Sequence, residues 1–192
     1  METIDLLRIK LARFERRVIT NSSLTRSAVL LPIARGREGL DLLFTKRTER
    51  VEHHKGQISF PGGACDPSDA TPFETALRES QEEIGLPPSA VSLLGSMDDI
   101  RTPSGFIVTP VVGYIEKLPP LRLNADEVAE VVLVPLEKFF DDSLRRSEFR
   151  EVEGNTFEVF FYDVWKEPVW GATALFVKRL VDLLGSPASP AK

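Results

Sequence analysis

The chain has 192 residues, enough for one domain with a sizeable core, and its 42% apolar and 28% charged residues are the proportions of an ordinary soluble protein. A net charge of −5 argues against a general nucleic-acid-binding surface, while leaving room for a local basic pocket. One cysteine, Cys65, excludes an intrachain disulfide framework and a cysteine zinc site; with two histidines, any metal chemistry has to be carboxylate chemistry, which favours Mg²⁺ or Mn²⁺.

No run approaches the roughly 18 apolar residues of a membrane span. Asp5, Arg8, Lys10 and Arg13 interrupt the first apolar residues, so no secretory signal is read and a cytoplasmic location is expected. Glu2 to Val18 reads as an amphipathic helix with the stripe Leu7, Leu11, Phe14, Val18, docked on the domain or on a second copy in a homodimer. The expected organisation is a single domain over 1–192, with that helix appended over 1–20 and a disordered tail over 186–192.

Ser27 to Ala34 is an apolar strand in which Pro32 limits pairing, and Leu40 to Lys46 is its hairpin partner. Lys46 to Gln57 is basic and polar and is expected at the surface; Ile58 to Gly63 is a brief extended piece. Asp66 to Asp69 turns the chain. Val91–Asp98, Phe106–Glu116, Val128–Val134 and Phe157–Tyr162 read as strands, Leu136 to Phe140 as a helical turn, and Ala172 to Leu184 as a helix. Arg145 to Glu153 is charged and expected to be exposed. Strands on both sides of a central helix, then a last helix, give an α/β or α+β fold with a mixed sheet between helical layers.

The central helix, Phe73 to Ile84, carries the chemistry. Phe73, Ala76, Leu77, Ser80 and Ile84 share one arc, and Glu79, Glu82 and Glu83 share the neighbouring face at i, i+3, i+4. Gly85 stops the helix. Three carboxylates at that spacing repel one another, and a hard divalent cation bound by oxygen turns repulsion into attraction. A solvated acidic face is the alternative on the carboxylates alone.

The stretch Gly62 to Leu86, with Arg78-Glu79-Ser80-Gln81-Glu82-Glu83-Ile84-Gly85-Leu86 at its centre, resembles the Nudix box, G-x5-E-x7-R-E-U-x-E-E-x-G-U with U apolar. Asp69 replaces the loop Glu, eight residues rather than seven separate it from Arg78, and Ser80 stands at an apolar position. The resemblance implies a Nudix α/β/α sandwich with a central mixed β-sheet and metal-assisted attack of water on a substituted diphosphate. It implies that Glu79, Glu82 and Glu83, with the Gly63 backbone, hold Mg²⁺ or Mn²⁺, and that Arg78 orients them. Glu82 is the in-box candidate for general base; Glu127 and Glu130, from a later loop, are the others, each with an exposed structural role as its alternative.

Ahead of the box, Leu43-Phe44-Thr45-Lys46-Arg47-Thr48, Gly56 and Phe60-Pro61-Gly62-Gly63 resemble the coenzyme A diphosphatase signature, L-L-T-x-R-S/A-x3-R-x3-G-x3-F-P-G-G. Phe44 replaces its second Leu, Thr48 replaces its Ser or Ala, and Glu52 stands where Arg is expected. The implied substrate is coenzyme A or its thioesters, with Arg47, Lys46, Arg50, Lys55 and His54 as contacts beside Gly62 and Gly63. Cys65 reads as a small loop residue, and Trp165 and Trp170 as packing residues rather than adenine stackers. ADP-ribose, NADH or dinucleoside polyphosphates are the alternative substrates, and a non-catalytic nucleotide-binding module is the alternative from another class.

Overall fold

The computed structural model describes residues 3–20, 23–50, 55–152 and 154–185. The expected tail 186–192 and Glu52, His53 and His54 therefore lie outside the described residues.

The hairpin predicted near residue 37 forms: β1 (Thr25–Arg35) and β2 (Leu40–Arg47) pair antiparallel at Ile33–Arg35 and Leu40–Leu42. Beyond that point the two strands splay. The wedge between them is filled by β3 (Ile58–Ser59), which pairs with β2, and β4 (Gly62–Ala64), which pairs with β1. The Leu30 N–H bonds the Pro61 carbonyl (2.9 Å). Backbone N–H groups alternate sides along a strand, so the missing N–H of Pro32 falls on this same side, between the β4 and β2 pairings. Its other side is uninterrupted: β1 runs parallel to β7 (Phe106–Ile115) from Thr25 to Ala34.

The sheet is completed by β5 (Ser92–Ser96) and β6 (Ile100–Arg101) against β7, and by β8 (Val128–Pro135) against β2. Alternation then sorts the core. Leu31, Ile33, Leu42 and Phe44 face one side, where α1 (Thr3–Ala12) and α3 (Gly171–Leu184) bring Leu7, Leu11, Phe176 and Leu180. Ala28, Leu30 and Leu43 face the other, where α2 (Pro72–Ile84) brings Ala76 and Ile84. The result is the expected mixed sheet between helical layers.

One expectation is corrected. The N-terminal helix ends at Ala12, not Val18, and Val18 is exposed. The Arg17 N–H and Nε donate to Asp98 (both 2.8 Å), and Asp99 accepts from Arg16 Nη2 (2.8 Å) and the Ile19 N–H (2.9 Å), which draws residues 14–20 out along the domain. Lys10 Nζ caps α3 instead, donating to the carbonyls of Leu183 (2.8 Å) and Leu184 (3.0 Å) at the negative end of that helix. The charged stretch after Leu144 is exposed over Arg146–Glu151, as expected, and it forms a strand, β9 (Arg145–Val152), paired with β10 (Asn155–Tyr162), which pairs with β11 (Val169–Trp170) in a second sheet. Among the described residues, no helix is long and apolar enough to cross a membrane.

Candidate active site

The wedge delivers the glycine loop to the foot of α2, and local chemistry fixes the helix at both ends. Thr71 is the N-cap, its Oγ1 accepting from the Glu74 N–H (3.3 Å), and Pro72 opens the first turn. At the other end Gly85 takes φ 68°, and its N–H bonds the Gln81 carbonyl (2.9 Å). The carbonyls of Glu83 and Ile84 are bonded by the N–H groups of Asn124 (2.8 Å) and Arg122 (2.9 Å), which docks the 122–128 segment on the helix end. Ser80, at a position where an apolar residue was expected, is fully buried and donates to its own helix at the Ala76 carbonyl (2.7 Å), so its hydroxyl is satisfied without a partner outside the helix.

Arg78 is the hub. Its guanidinium donates to Asp69 (Nη2–Oδ2 3.0 Å), the Ala64 carbonyl (2.9 Å), Glu79 (Nη1–Oε1 2.7 Å) and Glu82 (Nη1–Oε2 3.1 Å). Asp69 also accepts from Thr75 Oγ1 (2.9 Å) and from the Asp66 N–H (2.9 Å). The Arg78 guanidinium, aided by these donors, holds the Asp69 carboxyl down at about 2, and Asp69 in turn raises the Arg78 pKa. The loop acid thus anchors Arg78, and through it the aim of Glu79 and Glu82. Burial raises the Glu79 pKa, with Arg78 opposing.

Glu83 lies one turn on, 3% exposed. Burial pushes its carboxyl up to about 8; the Arg47 charge and a bond from the Gly62 N–H pull against that, and the charges of Glu127 and Glu79 add to it. Arg47 Nη1 stands 3.9 Å from Glu83 Oε1, an ion pair without a direct hydrogen bond, and Glu83 Oε2 and Arg47 Nε are buried without partners. Glu127 is therefore a neighbour of the cluster. Glu130 is exposed and stands across the β2–β8 ladder from Lys46, whose pKa is raised first by its hydrogen bond to Glu167 and then by the Glu167 and Glu130 charges.

The expected basic patch is corrected. Leu43, Thr45 and Arg47 share the α2 side of β2, so Lys46 falls on the opposite side with Phe44. There Lys46 Nζ bonds Glu167 (2.6 Å) and sits 5.9 Å above the Trp165 ring. Arg50 reaches Asp126 at 3.7 Å between two exposed side chains, and Lys55 is exposed. Trp170 stacks on Phe161 at 6.0 Å in the second sheet, a packing role as expected. Thr48 and Asn124, to which the sequence assigns no contact, are structural members of the site: Thr48 is buried, its Oγ1 donating to the Asp126 carbonyl (2.8 Å) and its N–H to the Glu127 carbonyl (2.9 Å).

The donor set suits a hard divalent cation. It is oxygen throughout, and Glu83 Oε2 is a buried acceptor with no donor. Gly63 leaves the space a side chain would take to the Glu79 carboxylate, which lies 2.5 Å from where a Cβ would stand. Among the described residues no three acidic groups are gathered as they would be around an ion, and Arg78 is bonded to both Glu79 and Glu82. The two glycines make separable predictions. A Cβ on Gly62 meets the Ala28 carbonyl at 2.4 Å, so Gly62→Ala is expected to lower stability by about 1–3 kcal/mol in thermal melts. For Gly63→Ala the nearest atoms are those of the Glu79 carboxylate, the far end of a side chain rather than backbone, so it is expected to cost less in the melt than Gly62→Ala and to lower phosphoanhydride hydrolysis.

A family model of the NUDIX domain matches residues 24–154. The chain belongs to the Nudix family. Among its relatives, a protein of Cronobacter sakazakii named uncharacterized Nudix hydrolase NudL is 38% identical over 183 residues, which is 91% of this chain and 93% of the relative. The protein of the same name from Escherichia coli K12 is 38% identical over 166 residues, 83% and 82% of the two chains. Solved structures share the fold: a Nudix hydrolase from Alicyclobacillus acidocaldarius has a TM-score of 0.52 at 20% identity, covering 65% of this chain and 84% of its own. RenU, a Nudix hydrolase from M. Smegmatis, has a TM-score of 0.51 at 24% identity, covering 59% and 72%. The Nudix match stops within the β9–β10 hairpin, so α1 and α3 are additions to the matched segment, joined to each other by Lys10.

Proposed function

We propose that this Nudix hydrolase splits the diphosphate bond of coenzyme A and its thioesters, giving 3′,5′-ADP and 4′-phosphopantetheine or its acyl form, in the cytoplasm. The observation that carries the reading is Arg47. It belongs to the coenzyme A signature ahead of the box, and its guanidinium is the cation beside Glu83, at the acidic cluster itself. From the same signature, the Gly62 N–H bonds Glu83 and Gly63 lies against the Glu79 carboxylate, while Thr48, at its Ser/Ala position, holds the carbonyls of Asp126 and Glu127.

A bound Mg²⁺ or Mn²⁺ supplies charge neutralisation at the diphosphate and an acidified water. Glu79, Glu82 and Glu83 would hold it, with the Gly63 backbone alongside. Arg47 offers a planar fork that matches phosphate oxygens. Glu127, close enough to Glu79 and Glu83 for its charge to raise both their pKa values, is the group to take the proton of the attacking water, with Glu82 as the in-box alternative. Attack forms one P–O bond and breaks the bridging one, and the second phosphate leaves as a monoester.

The deciding experiment is a substrate panel. Purified protein with Mg²⁺ or Mn²⁺ is given coenzyme A, ADP-ribose, NADH, dinucleoside polyphosphates and nucleotide sugars, with products separated by ion-exchange chromatography. Fast release of 3′,5′-ADP from coenzyme A is expected. Faster cleavage of another diphosphate removes the substrate assignment and leaves the class; binding without turnover of any removes the enzyme. Arg47→Lys keeps the charge but loses the fork, and is expected to raise KM for coenzyme A about tenfold or more in steady-state kinetics.

A further inference from the structure

The turn from Asn124 to Glu127 is tied down on both sides. The Asn124 N–H bonds the Glu83 carbonyl at the end of α2 (2.8 Å), and the Asn124 carbonyl accepts from the N–H groups of Glu127 (3.0 Å) and Val128 (2.8 Å). On the β2 side, Thr48 holds the carbonyls of Asp126 and Glu127. The backbone under Glu127 is thereby fixed to both the acidic helix and the strand that carries Arg47.

The Glu127 side chain is fixed by one further bond. Asn124 Nδ2 donates to Glu127 Oε1 at 3.1 Å, while Asn124 Oδ1 accepts from the Asp126 N–H at 3.2 Å. The second bond sets the first: an amide whose oxygen is engaged by an N–H presents its NH₂ to the other neighbour, and a carboxylate can only accept. Glu127 needs such a restraint. Its charge acts on both Glu79 and Glu83, like charges that drive it outward to solvent. A neutral amide holds it by a hydrogen bond without adding a charge to the cluster.

We propose that Asn124 is a positioning residue: its carboxamide aims Glu127 at the attacking water, and its backbone locks that aim to the helix bearing Glu79, Glu82 and Glu83. The assignment rests on the hydrolase reading above, with Glu127 as base.

Asn124→Asp tests it. The variant keeps an oxygen for the Asp126 N–H, and so keeps the turn, but it has no hydrogen to give Glu127. On coenzyme A, or the panel's best diphosphate, kcat is expected to fall about 10–100-fold with KM within about twofold. The melting temperature is expected to stay close to wild type. In a Glu127→Gln background the same change is expected to cause no further loss, because its target is gone. A residue that only shapes the turn would leave kcat intact in both backgrounds. Should Asn124→Asp lower the melting temperature, Asn124→Ser, neutral and still carrying an acceptor, is put through the same comparison. Near-wild-type kcat in the folded variants, with Glu127→Gln inactive, overturns the role of Asn124 alone. Wild-type turnover by Glu127→Gln overturns Glu127 as base and Asn124 with it.

Discussion

Glu82→Gln is expected to lower turnover about 10²–10⁴-fold while leaving the fold intact. The substitution keeps shape and removes charge. Glu82 is 57% exposed, and its described ion pair, with Arg78 at 3.1 Å, is of the surface kind worth about 0–1 kcal/mol. Arg78 keeps Asp69 and Glu79, both far less exposed, so the anchoring of the glycine loop survives. A melting temperature within about 2–4 °C of wild type is the expected companion result. Chemistry has no such reserve. A carboxylate that serves as cation ligand or as in-box base loses that role when it becomes an amide. Initial rates with coenzyme A and Mg²⁺, beside a circular dichroism melt, check both halves. Turnover like wild type would mean that the acidic face of α2 is a solvated surface, and the catalytic reading of the site would go with it.

The contrast between Glu82 and its neighbours marks what could be read from the chain alone. Helix α2 was legible almost to the residue, Phe73–Ile84 against Pro72–Ile84, because periodicity and Gly85 agree there. The spacing of Glu79, Glu82 and Glu83 was legible for the same reason. Their unequal burial was not, since it depends on which carboxylate the wedge of β3 and β4 and the Asn124 segment happen to cover. The N-terminal helix was read too long because its last residues keep helical periodicity. Two aspartates some 80 positions away, Asp98 and Asp99, outbid that local preference with hydrogen bonds to Arg16, Arg17 and Ile19. Strand β9 was missed because its alternation is of charge, not hydropathy: Arg146 and Arg150 cover the Phe161 ring at 4.0 and 5.5 Å, with Glu148 bonded to both.

Within the site, Lys46 and Arg47 follow strand alternation, which sends neighbours to opposite faces: Lys46 meets Glu167 and Arg47 meets Glu83. Glu127 and Glu130 are a different case. Three residues apart across a turn and a strand start, they are equivalent in sequence, and only the docking of Asn124 on α2 tells them apart. An Asn three residues ahead of a Glu was the available turn signal.

Glu83 gives the sharpest physical test. Its carboxyl rises from an ordinary 4.5 to about 8 in the folded chain because burial outweighs Arg47. The folded state therefore binds the proton more tightly than the unfolded state. The stabilisation this gives is fully present below about 4.5 and is lost as pH rises through about 8. In chelator, the wild-type melting temperature is expected to decline across that interval. A buried carboxylate with one oxygen unbonded is worth about 1–3 kcal/mol of that decline, at about 2–4 °C per kcal/mol. Asp69 moves the other way, towards about 2 and outside this window, while Glu79, also raised by burial, titrates in wild type and in Glu83→Gln alike, so the difference between the two slopes reports Glu83. Glu83→Gln carries no proton to lose, and its melting temperature is expected to be flatter over the same range. Adding Mn²⁺ at the alkaline end, where Glu83 is ionised, is expected to restore the wild-type melt and to leave the Gln variant unmoved, since a cation that binds only the folded carboxylate stabilises by mass action. Parallel pH slopes for the two proteins would remove the raised Glu83 carboxyl, and an equal response to Mn²⁺ would take Glu83 out of the metal site.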